Sequence, residues 1–135
     1  MTEDELLRQP VSAYMNEPQR QYFRNLLLAE RDALQARIDQ EFRALREQEV
    51  HSDPADIGSA EEERHWQLRS LEREKKLLDK IDHALERLAR GEYGWCEETG
   101  EPIGLRRLLL RPTASLSIEA KERQELRERH LRHDA

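Results

Sequence analysis

Apolar residues in the middle of the chain recur at helical spacing. Phe23, Leu27, Leu34, Ile38, Phe42 and Leu45 follow one another at steps of three, four or seven, the seam of a long amphipathic helix. Asn16-Glu17-Pro18 supplies its start, because Asn caps free backbone N–H groups and Pro is tolerated in the first turn. No further Gly or Pro occurs before about Glu49, so about 30 residues predict a rod of roughly 45 Å. His51-Ser-Asp-Pro-Ala-Asp56 then breaks the pattern, since Asp and Ser compete for backbone hydrogen bonds and Pro54 removes a donor. A second series, Ala60, Leu71, Leu78, Ile81, Leu85 and Leu88, predicts a helix from near Ile57 to about Arg90, ended by Gly91 and Gly94. Neither helix can hide its stripe alone, so the pair is expected to fold back as an antiparallel coiled hairpin.

The flanks read differently. Residues 1–15 mix charge, Pro10 and scattered apolar groups, and are expected to form an arm with a short helical turn that packs on the base. Residues 92–112 carry Tyr93, Trp95 and the turn signals Thr99-Gly100-Glu-Pro102 and Gly104, which suggest a small knuckle with short extended pieces. A final helix is expected over roughly Ser117 to Arg132. The predicted fold class is mainly all-α. Residues 1–15 would form the arm, 16–91 the hairpin with its tip near 50–58, and 92–135 a small base with a C-terminal helix.

Composition narrows the function. Of the 135 residues, 36% are hydrophobic and 39% charged, too polar for a large core and typical of long exposed helices. A net charge of −6 disfavours direct duplex binding, which normally needs a basic excess. No run approaches the roughly 20 apolar residues of a membrane span, and the acidic start lacks the basic and apolar regions of a signal peptide. A cytoplasmic protein is therefore expected. Cys96 is the single cysteine, so no intramolecular disulfide can form. No nucleophile–base set and no Gly-rich phosphate loop is visible, so no enzyme is expected.

Cys96, Thr99, Ser117 and Ala120 fall in the frame C-x2-T-x17-S-x2-A. With cysteine at all four positions this would be the frame of a structural zinc site, but only one thiol is present. Around that frame stand Gly91-Glu-Tyr-Gly-Trp-Cys96, Gly100-Glu-Pro-Ile-Gly-Leu-Arg-Arg107 and Arg111-Pro-Thr-Ala114, with Tyr14-Met-Asn-Glu17 before the first helix and Asp53-Pro-Ala-Asp56 at the loop. Over about residues 14–130 the chain resembles the DksA/TraR family, which has the four-cysteine frame after a helical hairpin. The departure at three of four cysteines resembles the family's zinc-independent paralogues, which implies no metal and no other resident cofactor. Packing by Tyr93, Trp95, Ile103, Leu105, Leu108, Leu116 and Ile118 is the expected substitute. Cys96 itself reads as a residue left over from a metal site; the alternatives are a redox-sensing thiol and a zinc shell completed by a distant histidine, His130 and His133 lying three apart on the last helix.

Seven carboxylates and no Lys or Arg lie between Glu47 and Glu63. Turn and capping chemistry accounts for such a cluster by itself. The resemblance implies more: the hairpin would enter the secondary channel of RNA polymerase and carry two tip aspartates, Asp53 and Asp56, in a D-x-x-D-x-A motif whose last position is Gly58 here. It also implies that Leu77, Lys80, Arg111 and Lys121 help form an interface site for guanosine tetraphosphate (ppGpp) with polymerase. Taken singly, each of those cations reads as a solvated surface charge. The implied activity is control of open-complex stability at initiation, by a monomer without sequence-specific DNA or membrane contacts. Two other readings remain: a secondary-channel factor that stimulates transcript cleavage, and a purely structural coiled-coil adaptor. Direct DNA binding is disfavoured because residues 93–135 carry eight acidic and eight basic side chains.

Overall fold

The computed structural model describes residues 1–51 and 57–134 and is mainly helical. Helix α1 covers Glu3–Arg8, followed by a 3-10 turn at Val11–Ala13. Helices α2 (Glu17–His51), α3 (Ile57–Arg90), α4 (Leu105–Leu110) and α5 (Ile118–Asp134) complete the order. Among the described residues there is no strand; one isolated antiparallel bridge pairs Trp95 with Pro102. None of the described helices is long and apolar enough to cross a membrane.

Local chemistry sets the helix ends. Thr2 and Glu5 form a reciprocal capping box at α1, with Glu5 N–H donating to the Thr2 hydroxyl at 3.2 Å and Thr2 N–H to the Glu5 carboxylate at 3.3 Å. Asn16 starts α2 as expected, its side-chain oxygen accepting from Gln19 N–H at 3.0 Å. Gly91 and Gly94 follow α3 with φ of 77° and 91°, the left-handed region that favours glycine. The expected extended pieces of residues 92–112 are corrected in part. Gly104 is followed by Leu105-Arg-Arg-Leu-Leu-Leu110, good helix formers that build α4. Six residues are too few to show a period.

By contact density the chain divides into two units, Leu28–Asp82 and the combination of Met1–Leu27 with His83–Ala135. In the first, α2 and α3 form a long antiparallel helical hairpin. Leu34, Ile38, Leu45, Leu71 and Ile81 are buried there, and Arg31 donates to the Asp82 carboxylate from the facing helix at 2.6 Å. The buried positions fit alternating steps of three and four, so the α2 seam also includes residues 31, 41 and 48, and the α3 seam residues 67, 74 and 78. Each of those six is half-buried. Phe42, expected on the seam, is instead 40% exposed. Glu41 holds the seam position between Ile38 and Leu45, and its neighbour turns to the flank.

In the second unit, Leu6, Phe23, Leu27, Leu88, Tyr93, Ile103, Leu108 and Ala120 are buried. Tyr93 packs against Phe23 with ring centres 5.5 Å apart, and its hydroxyl donates to the Pro112 carbonyl at 2.8 Å. Residues ahead of α2 are tied in by polar contacts. The Tyr14 hydroxyl donates to the Gly94 carbonyl and accepts from Gly104 N–H, and its ring meets Trp95 edge-on at 5.2 Å. Fully buried Gln19 accepts from Met15 N–H at 2.7 Å and donates to the Gln9 side chain at 2.6 Å. A Cβ at Gly94 would lie 2.8 Å from the Met15 side chain, so close approach as well as backbone angle requires glycine. Of the expected packing substitutes, Trp95 and Ile118 are exposed: Trp95 meets the Tyr14 ring at right angles, and Ile118 opens α5 on its solvent side.

The seam assignment separates two residues that a purely apolar reading treats alike. Leu34→Ala is expected to cost about 2–5 kcal/mol in urea unfolding and Phe42→Ala less than about 1 kcal/mol. Equal losses would mean that Phe42, and not Glu41, occupies the seam.

Candidate functional site

The four frame positions are brought together at the start of α5 and the knuckle before it. Cys96 is 3% exposed. Its N–H donates to the Glu101 carbonyl at 2.7 Å and its carbonyl accepts from Gly100 N–H at 2.9 Å, which closes the turn. Burial pushes the thiol up. The Thr99 hydroxyl and the backbone N–H groups of Ser117, Thr99 and Glu98 all point at the sulfur and more than offset this, drawing it from 9.0 to about 6. Ser117 caps α5, its hydroxyl accepting from Ala120 N–H at 3.2 Å. The Thr99 hydroxyl also accepts from Glu101 N–H at 3.2 Å.

This donor set does not fit a structural zinc ion. Such an ion needs four nitrogen, sulfur or carboxylate ligands in a tetrahedron. Here one thiol is available, two hydroxyls are engaged within the protein, and the fourth position is a buried methyl group. Among the described residues no group of three or more His, Cys, Asp or Glu side chains could hold a metal.

A guanidinium organises the neighbouring turn. Arg87, in the last turn of α3, has a side chain only 7% exposed. It pairs with the Glu97 carboxylate at 2.6 Å and donates to the carbonyls of Glu92, at 2.8 Å, and Trp95. His83 reaches the same Glu97 oxygen at 2.6 Å. Burial raises the Glu97 carboxyl, but hydrogen bonds from His83 and Arg87 and the Arg87 charge outweigh it and leave Glu97 below its ordinary value. Arg87 was not among the sequence candidates. Its one visible signal is a cation in the last helical turn, where the dipole favours it.

The remaining candidates are spread over the chain. Asp53 and Asp56 lie outside the described residues. Near them, Glu47, Glu61, Glu62 and Glu63 are exposed. A Cβ at Gly58 would meet nothing within 4 Å, so glycine there answers no steric demand. Leu77, 41% exposed, and Lys80 stand one turn apart on the same face of α3 in the hairpin unit. Arg111 is exposed at the end of α4, and half-buried Lys121 in the first turn of α5 donates to Gln124 at 3.1 Å; both belong to the other unit.

Comparison with known proteins accounts for nearly the whole chain. The family described as DnaK suppressor protein DksA, N-terminal domain, matches residues 19–88, and the prokaryotic dksA/traR C4-type zinc finger matches residues 91–126. A Caulobacter vibrioides (strain NA1000 / CB15N) protein named RNA polymerase-binding transcription factor DksA is 48% identical over 122 residues, 90% of this chain and 86% of the relative. The Escherichia coli (strain K12) protein of that name is 38% identical over 123 residues, covering 90% and 82%. The solved structure of transcription factor DksA2 from Pseudomonas aeruginosa matches with a TM-score of 0.88 at 72% identity, covering 96% of this chain and all of that one. The helical hairpin, the knuckle built on a degenerate four-cysteine frame and these matches agree: the chain belongs to the DksA family.

Proposed function

We propose that this protein is an RNA polymerase-binding regulator of transcription that works at initiation, in the cytoplasm, as a monomer and without enzymatic chemistry. The observation that carries the reading is the match over 90% of the chain to relatives named for polymerase binding. The helical hairpin supports it physically, because a narrow pair of helices can enter a channel that a globular body cannot. Its apolar seam is met within one chain, which removes the need for a second copy. The test is in-vitro transcription from a stable-RNA promoter with metal-stripped protein, with and without ppGpp. Inhibition that ppGpp deepens is expected. Stimulated cleavage of nascent RNA in backtracked complexes, with initiation unchanged, would replace this reading by that of a cleavage factor.

The acidic tip is the proposed working end. Carboxylates there accept hydrogen bonds from cationic groups or act on groups around bound magnesium. Asp53→Asn or Asp56→Asn is expected to leave polymerase affinity within about threefold while abolishing inhibition of a ribosomal-RNA promoter. Undiminished inhibition by either variant would remove the tip from the reading.

Leu77, Lys80, Arg111 and Lys121 are the proposed protein side of a ppGpp site completed by polymerase. Lys and Arg suit it because phosphates take several charge-assisted donors. Lys80→Ala is expected to impair ppGpp potentiation more than basal inhibition, measured as the ratio of the two on one promoter. Equal loss of both would indicate a docking or folding defect instead.

The fold is further proposed to be independent of zinc. The single thiol held by four hydrogen-bond donors supports this, as does the Arg87 cluster beside it. Structural zinc contributes on the order of 10 kcal/mol to small folds that need it. Helix content by circular dichroism and the melting temperature are therefore expected to stay within about 2 °C of their starting values in excess EDTA. Loss of helix on chelation would refute it.

A further inference from the structure

The α2–α3 seam is not apolar throughout. Glu41 and Glu74 occupy facing seam positions in the hairpin unit, where the three-and-four step pattern calls for leucine or isoleucine. Both residues are half-buried, yet the Oε2 atom of each is shut off from solvent and has no hydrogen-bond partner. The two carboxyl groups lie within hydrogen-bonding reach of each other. The antiparallel register agrees: moving from the Arg31–Asp82 contact along α2 and back along α3 brings residue 41 opposite the turn that holds residue 74.

Two ionised carboxylates in such a place are poorly matched to it. Each would keep a dry, unpaired oxygen and face a like charge. One proton between them removes the repulsion and supplies a donor. We propose that Glu41 and Glu74 share a single proton across the hairpin, so that the hairpin tightens as its surroundings acidify and loosens as they become alkaline.

The surrounding charges permit this. Arg37, one turn earlier on α2, acts on Glu41 and favours its ionised form. The other α2 positions one turn from Glu41 are Ile38, Ala44 and Leu45, and those around Glu74 on α3 are Ser70, Leu71, Leu77 and Leu78. None of these seven carries a charge. Burial is the largest influence on Glu41, followed by the hydrogen bond to Glu74 and its charge; together they outweigh Arg37 and raise the Glu41 carboxyl above its ordinary value. A group raised in the folded state stabilises the fold below its unfolded value, and that contribution is lost as pH rises through the folded value. Glu97 and Glu17 in the other unit are lowered, Glu97 as described above and Glu17 by the hydrogen bond to Arg20 and its charge. Their contributions have the opposite sign and are lost as pH falls. The pair must therefore be read by difference.

The experiment compares the full chain with Glu41→Gln and Glu74→Gln, which keep the shape and supply a permanent donor. Each variant is expected to melt a few degrees above the parent at about pH 7.5, with the gap narrowing as the pH falls. In the parent, the Glu41 side-chain carboxyl carbon is expected to titrate above the ordinary carboxylate range by NMR, and to return toward it in Glu74→Gln. A melting gap that does not change with pH, together with two independent titrations in the ordinary range, would overturn the proposal. So would a shift of both resonances and a gain of stability on adding millimolar magnesium or manganese at about pH 7.5, because the pair would then be a cation site.

Discussion

A helix of 35 residues with one apolar face has no stable existence in water by itself. Propensity adds little per residue, and the stripe of Phe23, Leu27, Leu34, Ile38 and Leu45 must be covered. Within the hairpin unit α3 supplies the cover, and Leu71 and Ile81 are buried in return, while Phe23 in the other unit is met by Tyr93. Every other arrangement in the molecule follows from that pairing. The seam sets which faces of α2 and α3 remain for solvent, and so sets where Leu77 and Lys80 are presented. It also delivers the ends of the two helices, with Phe23 and Leu88, into the unit that carries the frame of Cys96.

That second unit solves a different problem. A family frame built for four thiolates keeps one here, and the positions are held by other means. Cys96 keeps a ring of donors that suits a thiolate whether or not a cation is bound to it. Beside that knuckle lies the Arg87 guanidinium, which has a rigid fork and finds a carboxylate and two carbonyls within reach. Burying an ion of this kind is tolerable only when its donors are matched, and the matched partners come from the turn whose shape it fixes. Tyr14 and Gln19 tie in the segment before α2: Tyr14 pairs Gly104 N–H and adds a second donor to the Gly94 carbonyl, and Gln19 pairs Met15 N–H and reaches the Gln9 side chain.

What could be read from the sequence, and what could not, follows from the range of each interaction. The two long helices were legible because their period is local and repeats many times. The four-position frame was legible because spacing survives the loss of its cysteines. Helix α4 was not, being shorter than two turns. Arg87 was not, because its acceptors are carbonyls of Glu92 and Trp95, and a backbone carbonyl has no signature in the residue types. The backbone donors around Cys96, from Ser117, Thr99 and Glu98, were hidden for the same reason, whereas the Thr99 hydroxyl stood in the frame. The error at Phe42 was of another kind. A search for apolar residues selects Phe42 and passes over Glu41, although strict alternation of steps of three and four favours Glu41; the period was right and the assumption about chemistry was wrong.

Polar residues on a seam also bear on which partner a helix accepts. A slip of one heptad along α3 would set Glu41 opposite Ile81 and Glu74 opposite Gln48, or Glu41 opposite Gln67 and Glu74 opposite Leu34. Either way the two carboxyls are separated, and one of them faces an aliphatic side chain. The correct register is the one in which the two costly groups meet. In coiled coils a single polar residue on the seam sets register and partner number in this way, at some expense in stability. Glu41, Gln67 and Glu74 each keep an oxygen away from water and unpaired, so the hairpin bears that expense at three seam positions. A seam of leucine alone would pair with any similar helix that it met, and polar seam positions narrow that choice.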